Sequence, residues 1–111
     1  MSGRLVGSVS YFDGDRSKTH KFEKEFGLYR MLNNNNPTVN VPFTRVALAL
    51  TFIKGDKVDL WSQQYADYLA GLVYGINGQP PTHAVTDEAL WNDFTTAFHR
   101  QFRDTAEHER A

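Results

Sequence analysis

The apolar residues of this chain recur mostly at intervals of three and four, the spacing of a helix with one buried face. The clearest run spans residues 43–53, and Lys54 follows it where a cation favours the end of the helix dipole. Gly55 predicts the stop of this helix, and Asp56 predicts the N-cap of the next one. Two helices so closely joined must fold back on each other, so we expect the rest of the chain to pack around this corner. The apolar stripe of the first of them is Phe43, Val46, Ala47, Leu50 and Ile53.

Helical spacing continues on both sides of this corner. It predicts a first helix beginning at Asp15 or Ser17, a third after Asp56 and a fourth after Thr86, which acts as its N-cap. Gly27 interrupts the first helix and predicts a close approach by a neighbouring group. The stripes are Phe22, Phe26, Tyr29 and Leu32 in the first helix, Val58, Trp61, Tyr65, Tyr68, Leu69 and Leu72 in the third, and Leu90, Trp91, Phe94, Phe98 and Phe102 in the fourth.

The first residues follow a different pattern. Residues 4–12 alternate loosely between apolar and polar, which predicts one short extended segment containing Leu5, Val9 and Tyr11. Nothing else in the chain alternates over so many residues, so this strand has no predicted partner. Such an edge can pair with an extended peptide from outside. The alternative is a terminus that merely lies over the domain.

The pattern as a whole predicts an all-α protein, a small bundle of four to five helices with a short N-terminal extended segment. A length of 111 residues suits one domain, and the absence of cysteine excludes disulfides and thiolate metal sites. No apolar run reaches the length of a membrane span. The formal net charge of −1 gives no sign of the basic face that nucleic-acid binding requires.

Catalytic motifs are missing from the sequence. There is no phosphate-binding glycine loop, no nucleophile elbow and no helical pair of zinc ligands. The histidines fall on different predicted elements, and Asp13 and Asp15 flank a glycine without the remaining ligands of a calcium loop. Ser17 and His20 are better explained as a helix cap and an exposed side chain. We therefore expect no enzyme, no cofactor and no metal site.

Aromatic residues are more numerous than four short helices need for a core. On the fourth helix their spacing indicates core packing. Phe52 lies off the main stripe of its helix and is predicted to point partly outward. An exposed apolar surface of this kind usually binds a partner.

Two runs of residues carry a resemblance to a known family. One is LALTFIKG-x-K-V-x-x-W at residues 48–61, and the other is LW-x-x-F-x-x-x-F-x-x-x-F at residues 90–102. Together with Phe12-x-Gly14 and the pair Phe22 and Tyr29, they resemble the Gag capsid domain of gypsy-type long-terminal-repeat retrotransposons and its domesticated, Arc-like relatives. The similarity covers residues 11–111. Its core signature is Leu50, Gly55, Trp61, Trp91, Phe94, Phe98 and Phe102.

The resemblance implies a capsid N-lobe at residues 1–104, with residues 105–111 starting a linker helix toward a C-lobe absent from this chain. N-lobes of this family form the outer faces of pentamers and hexamers in cytoplasmic virus-like particles. RNA binding belongs to regions outside this chain. The first hypothesis is therefore a structural assembly module, whose isolated lobe associates only weakly with itself.

The Arc-like relatives imply a second hypothesis, an adaptor lobe that binds a short extended peptide in an apolar groove beside the N-terminal strand. Residue by residue, the groove matches Phe22 and Tyr29, and its end matches Phe52 and Lys54. A nucleic-acid-binding domain fits the net charge poorly, and a metal-dependent enzyme ranks last.

Overall fold

Five helices make up most of the chain in the computed structural model, which describes residues 4–103. Within that range there is no β-strand, and the predicted all-α bundle is confirmed. The predicted helix after Thr105 lies outside the described residues. A 3₁₀ turn, Arg16–Lys18, leads into α1 and has Asp15 as its N-cap. The helices are α1 (Thr19–Leu32), α2 (Pro37–Asn40), α3 (Pro42–Thr51), α4 (Asp59–Tyr74) and α5 (Ala89–Phe102).

The short helix α2 was not predicted, because the asparagine run before it indicated only a polar loop. The Asn36 side chain accepts a hydrogen bond from the Thr38 N–H, and Pro37 occupies the first turn. Both features favour a helix start, since the cap satisfies a free N–H and proline has the φ angle already set. Val39 then buries its side chain. The asparagine run therefore ends α1 at Asn33 and begins α2 at Asn36.

The corner between α3 and α4 is longer than predicted. Helix α3 ends at Thr51 and α4 begins at Asp59, so Gly55 is not the residue that stops α3 and Asp56 is not an N-cap. The Asp59 carboxylate instead accepts from the Gly55 N–H, and the Gly55 carbonyl accepts from the Asp59 N–H. Gly55 has φ +138 and faces Asp13 closely, so the connection requires glycine there.

Helix α3 lies at the centre of the bundle and contacts α2, α4 and α5. Val46 and Leu50 are buried as predicted, whereas Ala47 is exposed and Arg45 is buried. The buried face is therefore rotated from the predicted stripe, because α3 packs against helices on more than one side. In α1, Leu32 is also exposed although it was predicted to face the core.

The N-terminal segment contributes to the core through Phe12, which is only 2% exposed. Its ring contacts those of Phe22, Phe98 and Phe102, with centroids 5.7, 5.2 and 5.0 Å away. Phe12 also forms one parallel bridge with Ile53, so the prediction of a segment with no partner is wrong at this residue. No strand forms around that bridge in the described chain.

The loop between α4 and α5 folds back on the bundle. Asn77 and Gly78 both have positive φ and form a tight turn closed by hydrogen bonds between Ile76 and Gln79. Farther on, the Val85 carbonyl accepts from the Phe43 N–H at the start of α3. Thr86 is not the cap of α5. The helix begins at Ala89, whose N–H donates to the Asp87 carboxylate.

Candidate functional site

The predicted groove residues lie on α1 and on the connection that follows α3. Phe22 and Tyr29 are buried, Phe52 is partly buried and Lys54 is exposed. Tyr29 and Phe52 meet edge to face, with ring centroids 5.8 Å apart. Phe22 instead packs against Phe12 and Phe98 in the core. The structure therefore brings Tyr29 and Phe52 together and places Phe22 in the adjacent part of the core, against Phe12 and Phe98.

The N-terminal segment, residues 5–12, lies over these residues and runs antiparallel to α1. The Val6 N–H donates to Asn33 Oδ1 at 2.7 Å, and Asn33 Nδ2 donates to the Val6 carbonyl at 2.9 Å. The Ser10 N–H donates to Glu25 Oε1 at 2.9 Å. At the far end, the Phe12 N–H donates to Phe52 and its carbonyl accepts from Lys54. The chain itself therefore covers the groove.

The predicted pairing residues have different environments within this segment. Val9 is buried, Leu5 is partly buried and Tyr11 is exposed. The centroid of the Tyr11 ring lies 6.2 Å from that of Phe52. Lys54 Nζ lies 4.9 Å from the centroid of the Tyr11 ring, which is a cation–π distance. The backbone groups of Gly7, Ser8 and Val9 make no hydrogen bond to any described residue. Among residues 4–103, this part of the segment therefore has no hydrogen-bond partner for its backbone donors and acceptors.

Hydrogen bonding and burial change the titration of two groups beside the segment. The Ser10 N–H, followed by the Lys21 side chain, lowers the pKa of Glu25. Burial raises the pKa of Tyr29, which keeps its phenol neutral. Glu25 is therefore charged at neutral pH and holds the segment against α1.

The five aromatic residues of the core signature form one cluster that joins α4 to α5. The partly buried Trp61 ring packs against Phe94, Phe98 and Phe102 at centroid distances of 6.3, 6.2 and 5.2 Å. Leu50 is buried, Trp91 is partly buried and Gly55 lies in the α3–α4 connection. Beside the cluster, Tyr65 donates to Asp93 at 2.6 Å, and burial followed by Asp93 raises the pKa of Tyr65.

A buried polar site surrounds Arg45, which is 2% exposed, and was not predicted from the sequence. Its Nε donates to the Val39 carbonyl at 2.7 Å, and Nη2 donates to the Asn40 carbonyl at 3.0 Å. Its guanidinium also pairs with Glu88 at 3.1 Å and lies 5.2 Å from the Trp91 centroid. An arginine within an otherwise apolar helix was the signal available in the sequence.

The described residues contain no group of three or more carboxylates and histidines able to hold a metal ion. His99 pairs with Glu23 at 2.8 Å, His83 contacts the Thr82 hydroxyl, and His20 is exposed. His108 lies outside the described residues. No helix in residues 4–103 is long and apolar enough to cross a membrane.

Comparison of the chain with protein-family models, curated proteins and solved structures gave no match.

Proposed function

We propose that this chain is a structural assembly module, the capsid N-lobe of a retrotransposon-type Gag protein or of a domesticated relative. The proposal is carried by the contact between its two signature runs. Trp61, which closes the first run, packs on Phe94, Phe98 and Phe102 of the second. The residues that define the resemblance thus depend on one another for packing, as expected when the two signature runs belong to one lobe.

An exposed apolar surface on α1 supports the assembly role. Leu28, Met31 and Leu32 are 53%, 70% and 62% exposed, and we call them the α1 patch. Gly7 packs close to Leu32 and brings the exposed Val6 nearby, which extends the patch. Contiguous apolar surface on a small domain usually marks a contact with another protein.

Ring assembly requires two different surfaces on each lobe, because a closed ring joins unlike faces. Helix α4 offers the second surface, since Leu60, Tyr68 and Tyr74 are exposed on it. Under this proposal the α1 patch of one copy meets the α4 surface of the next in a pentamer or hexamer. A C-lobe and RNA-binding regions outside this chain complete the particle, which forms in the cytoplasm.

Sedimentation velocity of the 111-residue chain tests the proposal. We expect weak, reversible association with a Kd near ~1 mM, which corresponds to a binding free energy of about 4 kcal/mol. Met31→Glu should abolish it, because the charge would be buried in the contact. Gln101→Glu adds the same charge at an exposed position of α5 and should leave association unchanged. A chain that stays monomeric, or a tight dimer unaffected by Met31→Glu, would contradict the proposal.

A second candidate function is peptide binding along the N-terminal segment. The observation that favours it is the free backbone of Gly7, Ser8 and Val9, which lack hydrogen-bond partners among residues 4–103. An extended peptide could pair with these groups and contact Tyr11 and Phe52. Titration with a library of extended apolar peptides, followed by amide NMR shifts, is the test. Shifts at Gly7–Val9 are expected, and their absence for every peptide would remove this candidate.

A further inference from the structure

A pocket lies between α1 and α5 and shares Phe22 with the predicted groove. The two helices run antiparallel and meet at both ends of the pocket. Glu23 pairs with His99 at 2.8 Å at one end, and Arg30 lies 5.4 Å from the Trp91 centroid at the other. Between these contacts, Gly27 and Thr95 line the pocket and leave a gap where the helices carry no larger side chain.

Gly27 keeps this gap open. Glycine in the middle of a helix costs about 1 kcal/mol relative to alanine. A Cβ added at Gly27 would meet no atom within 4 Å, so the predicted close approach of a neighbour is wrong. The glycine is therefore not required by helix packing, and its effect on the structure is the space that it leaves.

The size and lining of the pocket suit one aromatic ring. Its volume is about 200 Å³. For comparison, an apolar cavity of about 150 Å³ holds benzene in another protein. Phe26 and Trp91 stack at 5.5 Å and, with Phe94, present aromatic surface to the pocket. Aromatic rings pack favourably on such surfaces in offset or edge-to-face geometry.

The positive charge at one end of the pocket favours an anion. Arg30 lines the pocket and forms no ion pair with a carboxylate of residues 4–103. The nearby Glu88 carboxylate is bound by Arg45 instead. Burial, followed by the charge of Arg45, lowers the pKa of Arg30, and the charge of Glu88 partly offsets this shift. A carboxylate at this position would form a bidentate, charge-assisted pair of hydrogen bonds with the guanidinium of Arg30.

We propose that this pocket binds a single aromatic ring that carries a carboxylate on a short chain. The ring occupies the space beside Gly27 and packs on the surface that Phe26, Trp91 and Phe94 present to the pocket. The carboxylate pairs with the Arg30 guanidinium. This chemistry is shared by free aryl-alkanoic acids and by the C-terminal phenylalanine of a peptide. The inference does not depend on capsid assembly.

NMR titration of the whole chain with phenylpropanoate, and separately with its uncharged amide phenylpropanamide, tests the proposal. We expect shift changes at Gly27, Arg30, Thr95 and the Trp91 indole, with the acid binding about tenfold more tightly than the amide. Arg30→Gln should remove this difference while leaving amide binding unchanged. Arg100→Gln removes an exposed arginine of α5 and should retain the preference for the acid.

Gly27→Leu supplies an independent variant because it fills the pocket while the arginine at position 30 is retained. It should abolish binding of both compounds while the melting temperature stays equal to or above that of the parent chain. Acetyl-glycyl-phenylalanine tests the peptide source: tighter binding than phenylpropanoate indicates a C-terminal residue, and weaker binding indicates a free acid. Equal affinity for acid and amide, an Arg30→Gln variant that keeps the preference, or no binding of any compound would overturn the proposal.

Discussion

Arg45 illustrates how one polar residue can fix the arrangement of several elements. Its guanidinium binds the carbonyls of Val39 and Asn40, the last two residues of α2, and it also binds Glu88 just before α5. No other described residue with a formal charge is as deeply buried. Buried donors are expensive unless they are all paired, so this side chain specifies where α2 and α5 lie relative to α3.

Replacing Arg45 should therefore cost more than replacing its partner. Arg45→Met leaves the Val39 and Asn40 carbonyls without their donors and should lower the free energy of unfolding by about 2–3 kcal/mol. The Glu88 side chain is 60% exposed, so Glu88→Gln should cost about 1 kcal/mol or less. Urea denaturation of both variants measures the difference. Equal losses would mean that the ion pair, and not the carbonyl contacts, carries the stabilisation.

At the scale of elements, the N-terminal segment is held by side chains of α1 and not by a neighbouring strand. Asn33 binds both backbone groups of Val6, as a paired strand residue would, and Glu25 binds the Ser10 N–H. Side-chain amides and carboxylates can thus replace a β-partner at the positions where they reach the backbone. The segment is fixed in place, while the backbone groups of Gly7, Ser8 and Val9 have no partner in the described part of the chain.

The Glu25 contact makes this attachment sensitive to acid. Its pKa is lowered from the ordinary value of 4.5, so the contact stabilises the fold above that pH and is lost as pH falls through the lower, native pKa. Glu25→Gln should therefore melt below the parent chain at neutral pH, and the gap should shrink as the pH falls below 4.5. In the parent chain, the NMR shift of the Ser10 amide should change over the same pH range as the melting gap. In Glu25→Gln this change should be absent. A melting gap independent of pH would contradict this account.

At the scale of the whole molecule, the N-terminal segment belongs to the folded unit. Phe12 lies among Phe22, Phe98 and Phe102, so the beginning of the chain is packed against both α1 and α5. The Thr19 hydroxyl donates to the Phe102 carbonyl at 2.6 Å and fixes the end of α5 beside the start of α1. Residues distant in sequence therefore close the bundle at one end.

Removing the Phe12 ring should destabilise the whole bundle. Phe12→Ala leaves a cavity among three aromatic rings and should cost about 3–5 kcal/mol. Tyr11→Ala, one residue away on a side chain that is 63% exposed, should cost less than about 1 kcal/mol. Chemical denaturation followed by circular dichroism measures both. A small loss for Phe12→Ala would mean that the segment folds independently of the core.

Sequence patterns predicted what depends on neighbours along the chain. The all-α class, helices α1, α3, α4 and α5, and the inward stripes of Phe94, Phe98 and Phe102 follow from helical periodicity, because a helix buries residues at fixed intervals. Turn signals were less reliable. The N-caps of α4 and α5 are Val58 and Glu88, each two residues after the predicted caps Asp56 and Thr86, and neither makes a side-chain cap hydrogen bond.

The tertiary structure decided everything that depends on contacts between distant residues. It turned Arg45 inward, because Glu88 and two carbonyls were there to pair with it. It laid residues 5–12 over Tyr29 and Phe52, because Asn33 and Glu25 bind that backbone. It also opened the pocket at Gly27, whose neighbours across the gap come from another helix. Periodicity measures which face of an element is apolar, whereas the partner of that face is set only when the whole chain packs.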